Sequence, residues 1–242
     1  MRDPHFHRTS TRSTTTLFCA ALLAVASAAH GKTLIDVQFS NGASHTQSGA
    51  AVVGASGDTW NNFVSGQAGS GSLVDTTNTA SGVSLTFSAN NFWEADSTYT
   101  RFTGQPDANL MQGYLVGYGG QSDIALAFTG LAAGQEYGFW VYTQGDDNSR
   151  GRSIGLSANG SAAAIATQTN ASRFVRGDNV VYLTAFADQN GDIDLLGHDL
   201  DGEANINGVQ LMAVPEPSQM VLLMAGGMLL AGAAVRRKNR NR

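Results

Sequence analysis

The side chains able to do chemistry gather in a few short stretches. Asp188-Gln189-Asn190-Gly191-Asp192-Ile193-Asp194 sets an oxygen-bearing group at every second position. Calcium takes roughly six to eight oxygen ligands, and Asp188, Asn190, Asp192 and Asp194 would supply several of them. The stretch departs from a helix-loop-helix calcium site, because Gly191 stands fourth rather than sixth and no glutamate stands twelfth. The competing expectation is a hairpin: Tyr182 to Ala187 runs out, Asn190-Gly191 turns, and Asp192 to Leu196 returns with Asp192 and Asp194 on its solvent face. Two further acidic groups, His198-Asp199-Leu200-Asp201-Gly202-Glu203 and Asp146-Asp147-Asn148, read as solvated loops.

A second kind of chemistry is sugar stacking. Glu94 follows Trp93, with Phe92, Tyr99 and Phe102 close by in sequence. Sugar rings stack on aromatic faces while neighbouring carboxylates and amides take their hydroxyls. Trp93, Glu94 and Tyr99 are therefore ligand-binding candidates, as is Trp60 between Asp58 and Asn61. The alternative is that these aromatics close one end of a core, and Trp60 leans furthest that way. Gly151-Arg152-Ser153-Ile154-Gly155 matches the nucleophile elbow of serine hydrolases, and His198-Asp199 would nominally complete a triad. That chemistry needs a sharp strand-to-helix turn. Here the serine opens a strand pattern and no helix follows. His30, His45 and His198 are not spaced as ligands, so a transition-metal site is unsupported. The spacing of paired carboxylates for glycoside hydrolysis is set by the fold and is not legible from the chain.

The elements that must hold these residues are β-strands. Glycine is abundant, with 29 in the chain, and Asn-Gly pairs recur at residues 41, 159, 190 and 207. Between such turns lie short β-branched and aromatic segments. Strands are expected at Thr33–Ser40, Ala51–Ala55, Ser72–Thr76, Val83–Ala89, Ile124–Gly130, Tyr137–Thr143, Ser153–Ala158, Val180–Ala187, Asp192–Leu196 and Ala204–Val214. Ile124, Leu126 and Phe128 alternate with smaller or polar residues, as on a strand with one buried face. Tyr137, Phe139 and Val141 do the same, which places Trp140 and Tyr142 on the opposite face. Residues 130–134 are expected to join these two strands as a hairpin. Ile206 and Val209 share a face only if Asn207-Gly208 resets the alternation. Ala162 to Ala166 tolerates a helix but is too short to form one. The fold class is all-β, a two-sheet β-sandwich of jelly-roll type, without a fixed-period repeat.

Both ends of the chain differ from this middle. Arg2, Arg8 and Arg12 precede an apolar stretch from Leu17 to Ala26, and Ala26-Ser27-Ala28 offers the small residues that signal peptidase reads. Residues 1–28 are expected to be a signal peptide cut before Ala29, with a cut after Ala29 as the alternative. At the other end, Val214-Pro215-Glu216-Pro217-Ser218 leads into an apolar run from Met220 to Val235 and then Arg236-Arg237-Lys238-Asn239-Arg240-Asn241-Arg242. As a helix that run covers roughly 24 Å, which snorkelling basic side chains extend to a span. Five cations after it fix that end in the cytoplasm. The expected order is signal peptide 1–28, exported sandwich 29–213 and tail 214–242, with a transmembrane helix at 219–235 and a basic end at 236–242.

This tripartite tail resembles the PEP-CTERM sorting region of exported bacterial proteins. The resemblance implies that exosortase, a multi-pass membrane enzyme, recognises Pro215, Glu216 and Pro217 and processes the chain there. It also implies a setting of exopolysaccharide, biofilm or extracellular matrix. Residues 57–61 and the final strand resemble, more loosely, the galactose-binding-like jelly-roll domains found ahead of such tails.

Charge narrows the partners. Residues 30–213 hold 17 carboxylates against six basic side chains, a net charge of −11, while the whole chain is only −5. Such a surface repels phosphate backbones and excludes nucleic acid as a natural partner. Removing the leader removes Cys19, the sole cysteine, so the exported domain folds without disulfides. The expected role is a non-catalytic surface or matrix module, structural or carbohydrate-binding, with no cofactor unless calcium fills the Asp188–Asp194 turn. Its expected partners are signal peptidase, exosortase, the inner membrane before processing, and extracellular polysaccharide. A secreted glycan-active hydrolase is the alternative of another class. An ice-binding role would need a regular threonine array, and Thr76, Thr77, Thr79 or Thr167, Thr169 are too few.

Overall fold

The structure is a computed structural model, and it describes residues 33–94, 102, 104–118, 123–145, 153–168 and 172–215. Ala26, Ala28, Tyr99, Asp146-Asp147-Asn148, Gly151-Arg152, Glu216, Pro217 and the expected helix 219–235 lie outside the described residues. Among the described residues no helix is long and apolar enough to cross a membrane.

Strands are numbered β1 to β14 in chain order. One sheet runs β11 (Val180–Phe186), β8 (Glu136–Tyr142), β14 (Gly208–Ala213), β1 (Leu34–Ser40) and β2 (Trp60–Val64). The facing sheet runs β10 (Ala164–Thr167), β9 (Ser153–Ala158), β12 (Ile193–Asp199), β7 (Asp123–Thr129), β4 (Ala80–Ser88) and β3 (Ala68–Val74). A small third sheet holds β13 (Ala204–Ile206), β6 (Gly113–Gly117) and β5 (Asn91–Glu94). Neighbours are antiparallel except β1 and β2, which are parallel. The all-β class and the two-sheet sandwich stand.

The alternation seen in the sequence builds the interface between the two large sheets. Val37, Phe39, Phe139, Val141, Val209 and Leu211 meet Leu85, Leu126, Phe128, Leu156, Ile193 and Leu195 in one buried cluster. Burying such side chains contributes on the order of 2 kcal/mol each. A second cluster lies on the other face of the five-stranded sheet. There Trp60, Tyr142 and Val180 are covered by Phe102, Phe174 and the 3-10 turn Ala108–Gln112, which brings Leu110 and Met111.

Four expectations are corrected. Residues 130–134 do not close a hairpin: β7 pairs with β4 and β12, whereas β8 pairs with β11 and β14, so the turn crosses between sheets. The Asn190-Gly191 turn likewise carries the chain from β11 in one sheet to β12 in the other. The two crossings brace each other through Leu131 N–H donating to Gly191 O at 2.9 Å. A Cβ on Gly191 would lie 2.2 Å from Leu131 O, so only glycine fits there. Ala51–Ala55 forms bends rather than a strand, because its backbone is taken by side chains of the sheet beneath it.

The last expected strand is two strands. Ile206 pairs with Leu115 in the small sheet, while Val209 pairs with Val37 and Val141 in the five-stranded sheet. Asn207 makes the switch: its N–H donates to Tyr142 O at 2.8 Å and its Oδ1 accepts from Gln144 N at 2.7 Å. Both Ile206 and Val209 are thereby fully buried.

Candidate functional site

The structure separates the residues picked out by sequence. Trp60 is interior, 4% exposed, with its indole N–H donated to Gly49 O at 2.9 Å and its ring against Tyr142 at 6.3 Å. Trp93 is 45% exposed on the strand β5 at the edge of the small sheet. Glu94 beside it is exposed and accepts a hydrogen bond from Ser65 Oγ at 2.9 Å. Trp60 and Trp93 therefore do not share a surface.

The Asp188 turn is held by its own backbone. Asp188 Oδ1 accepts from Asn190 N at 2.8 Å and Asp192 N at 2.9 Å. Those amide donors, Asp192 first, hold its carboxyl below the usual aspartate range. Asp194 lies beyond the turn on the exposed side of β12. Among the described residues no three His, Cys, Asp or Glu side chains group as metal ligands. Ser153 opens β9 rather than a strand-to-helix elbow, and consecutive His198 and Asp199 on β12 project to opposite faces, the first exposed and the second buried.

A different group of side chains forms an open cleft of about 480 Å³ at the β11 edge of the five-stranded sheet. Tyr182 on β11 stands directly opposite Trp140 on β8. Their rings lie 4.8 Å apart and tilted by 45°. Phe139 and Val141 on β8, and Val181 and Leu183 on β11, point into the sandwich, which sets half-buried Trp140 and exposed Tyr182 together on the other face. Gly138 makes room: a Cβ there would sit 2.6 Å from the Tyr182 hydroxyl oxygen. Ile165 from β10 and Arg176 complete the walls. Tyr182 is 50% exposed. Partial burial, and then the Glu136 carboxylate, push its hydroxyl up from the ordinary tyrosine range, so it stays a neutral donor and acceptor. Arg176 Nη2 donates to Val52 O at 2.7 Å, which holds the guanidinium at the rim. The sequence had set Trp140 apart from the buried residues of its strand. The matching exposed phase of Tyr182 among Val181, Leu183 and Ala185 was the signal for its partner.

Beside this cleft the same face is sealed. Val52 N–H donates to the Tyr142 hydroxyl at 2.9 Å, Tyr142 donates on to Gln210 Oε1, and Gln210 Nε2 donates to Asp36 Oδ1 at 2.9 Å. Asp36 Oδ2 is buried and has no hydrogen-bond partner among the described residues. Desolvation pushes the Asp36 carboxyl up to about 7, offset by the Gln210 hydrogen bond and reinforced by the Asp58 charge. Burial raises the Tyr142 hydroxyl as well. This chain of groups is closed to solvent, so it holds the covering loop in place and presents no reacting surface.

The tail continues from β14 alongside the start of β8. Val214 N–H donates to Glu136 O at 2.8 Å, and Gln135 Nε2 donates to Val214 O at 2.7 Å. Pro215 follows at once, half-buried.

A family model described as the PEP-CTERM protein-sorting motif matches residues 213–238. The chain carries that motif, which implies an exported protein sorted to the cell surface and processed by exosortase. No curated protein matches the sequence. Among solved structures, β-glucuronidase 2 of Bacteroides uniformis aligns at 15% identity and a TM-score of 0.44, covering 75% of this chain and 18% of that one. The CBM35 of Cellvibrio japonicus Abf62 aligns at 13% identity and a TM-score of 0.35, covering 53% of this chain and 91% of that one. An exo-β-1,3-galactanase of Phanerochaete chrysosporium aligns at 11% identity and a TM-score of 0.31, covering 60% and 27%. The chain thus spans 18% of the length of the glucuronidase, and these are likenesses of fold at most.

Proposed function

We propose that this exported sandwich is a non-catalytic surface or matrix module that holds carbohydrate in the Trp140–Tyr182 cleft. The observation that carries the reading is the pairing of exposed Tyr182 with half-buried Trp140, with Arg176 at the rim. The C–H face of a sugar ring stacks on such a pair, and guanidinium and phenol groups match its hydroxyls. The described lining residues offer two aromatic faces, a phenol and a guanidinium, groups suited to holding a sugar ring. The net charge of −11 over residues 30–213 favours neutral polysaccharide over anionic polymers. Before processing, the apolar run Met220–Val235 would hold the domain at the inner membrane with its basic end in the cytoplasm. After it, the domain joins the cell surface or extracellular matrix, where exopolysaccharide is the natural ligand.

The test is binding of the surface-released protein to neutral polysaccharides on an affinity gel, with reducing-end release assayed in the same samples. Trp140→Ala should abolish retardation, and no reducing ends should accumulate. Retardation unchanged by Trp140→Ala would overturn the cleft assignment. Steady release of reducing ends would favour a glycan-active enzyme, for which exposed Glu94 beside Trp93 is the first carboxylate to replace.

A further inference from the structure

The sorting motif and the fold overlap. The matched segment begins at Ala213, still part of β14 and paired with Tyr137. Val214 continues that pairing through its N–H to Glu136 O at 2.8 Å. Its carbonyl is then taken by Gln135 Nε2 at 2.7 Å, and the same nitrogen donates to Glu136 O at 2.9 Å. Gln135 therefore bridges two carbonyls, one on each strand. Its own backbone is fixed on both sides: its N–H donates to Ala132 O at 3.1 Å, and its carbonyl accepts from Ala187 N at 2.9 Å. Pro215, the next residue, has no N–H to donate. Glu216 and Pro217 follow with no spacer between the motif and the sheet.

An enzyme that cuts or transfers a chain at a short linear motif grips several extended residues on both sides of the bond it attacks, commonly by strand addition. Upstream of Pro215 those residues are unavailable. β14 is an inner strand, flanked by β8 and β1, and Leu211 is buried in the core. We infer that Gln135 is a latch on the sorting motif: processing at Pro215-Glu216-Pro217 proceeds through the fraction of molecules in which Ala213 and Val214 have peeled away from β8. The inference rests on the exosortase reading of the tail. Two hydrogen bonds, Val214 N to Glu136 O and Gln135 Nε2 to Val214 O, must open, and each is worth about fivefold in the peeling equilibrium. Gln135 is a positioning residue here, since it touches the motif's first residues and takes no part in bond making.

The experiment is a pulse-chase of the full chain in cells that process it, scored by loss of the tail. Gln135→Ala should speed processing by about fivefold. Inserting Gly-Ser-Gly-Ser between Val214 and Pro215 should speed it further, and in that background Gln135→Ala should have no additional effect. The insertion leaves every residue of β8 and β14 in place, so it decides the matter even if the Gln135 variant folds poorly. Wild-type rates in both variants, or slower ones, overturn the latch. Replacing Pro215, Glu216 and Pro217 with alanine separates the two ideas. Processing that continues without them overturns the sorting reading, whereas motif-dependent processing at equal rates overturns the latch alone.

Discussion

One row of residues crosses the outer face of the five-stranded sheet: Tyr182, Trp140, Gln210, Asp36 and Trp60 stand in register on β11, β8, β14, β1 and β2. The β11 and β8 end is open and aromatic. The β14, β1 and β2 end is sealed, and Asp36 and Gln210 there have no exposed surface. Both halves belong to the same face of the same sheet, so the strands themselves do not separate them. The covering loop does. Val52 and Val53 bond to Tyr142 and Gln210, and Arg176 bonds to Val52 O at the boundary. A side chain's phase on a strand decides which face it takes, and a distant loop decides whether that face meets water.

The contrast breaks most strongly at Trp60. Trp60→Ala removes a buried ring from the sealed half and should cost about 3–5 kcal/mol of stability. A urea melt should show this as a lower midpoint. A cost below about 1 kcal/mol would mean that the sealed half is not packed as described.

Asp36 gives the next largest effect. Its folded-state value of about 7 lies above the ordinary 3.8. A carboxyl raised on folding stabilises the fold below its unfolded value, and that contribution is lost as pH rises through the folded one. Stability should therefore fall by on the order of 3 kcal/mol between about pH 4 and pH 7. Asp36→Asn keeps the shape, cannot ionise, and should melt higher than wild type at pH 8. It should also flatten the pH profile, leaving Asp107, which burial raises in the same direction, opposed by Asp188 and Asp75, whose hydrogen bonds lower them. An unaltered slope in Asp36→Asn would place the titration elsewhere.

On the open half the same kind of change should act on binding instead. Tyr182→Ala uncovers Gly138 and one face of Trp140 but leaves the sealed half covered, so its stability cost should stay below about 1 kcal/mol. Affinity for neutral polysaccharide should fall about tenfold by gel retardation, the effect of losing one stacked ring. Equal losses of stability and affinity would erase the distinction between the two halves. The finest probe is Gly138→Ala, whose methyl would meet the free end of the Tyr182 ring. It should tilt the aromatic pair and weaken binding by a few fold while the melt stays within about 0.5 kcal/mol of wild type.

These elements differ in how far local pattern reveals them. β7 shows strict alternation, and its buried set is the expected one. β6 is buried throughout, so it has no alternation to find. β2 is obscured by its asparagines. Asn61 Nδ2 donates to Asp36 O and Val74 O, and Asn61 Oδ1 accepts from Val74 N, so a polar side chain acts as a piece of backbone between β1 and β3. Trp140 and Tyr142 were rightly placed off the core face, yet one became a cleft wall and the other a sealed donor. Nothing within residues 136–142 distinguishes those outcomes, because the deciding contacts come from Val52, Gln210 and Phe174. At the Asp188 turn the spacing of the acids was legible, but not that Asp188 Oδ1 accepts two backbone N–H groups of its own turn.

The position of β14 bears on how the molecule comes to be. It sits between β8 and β1, and among the described residues it is the last strand in chain order. Until residues 208–213 arrive, the five-stranded sheet is two separate pairs with a gap at its middle, and Leu34 waits for Met212 across almost the whole domain. Closing so distant a contact is slow. The keystone is thus translated immediately ahead of the sorting tail, and a chain cut short before residue 208 should accumulate as an open, protease-sensitive form.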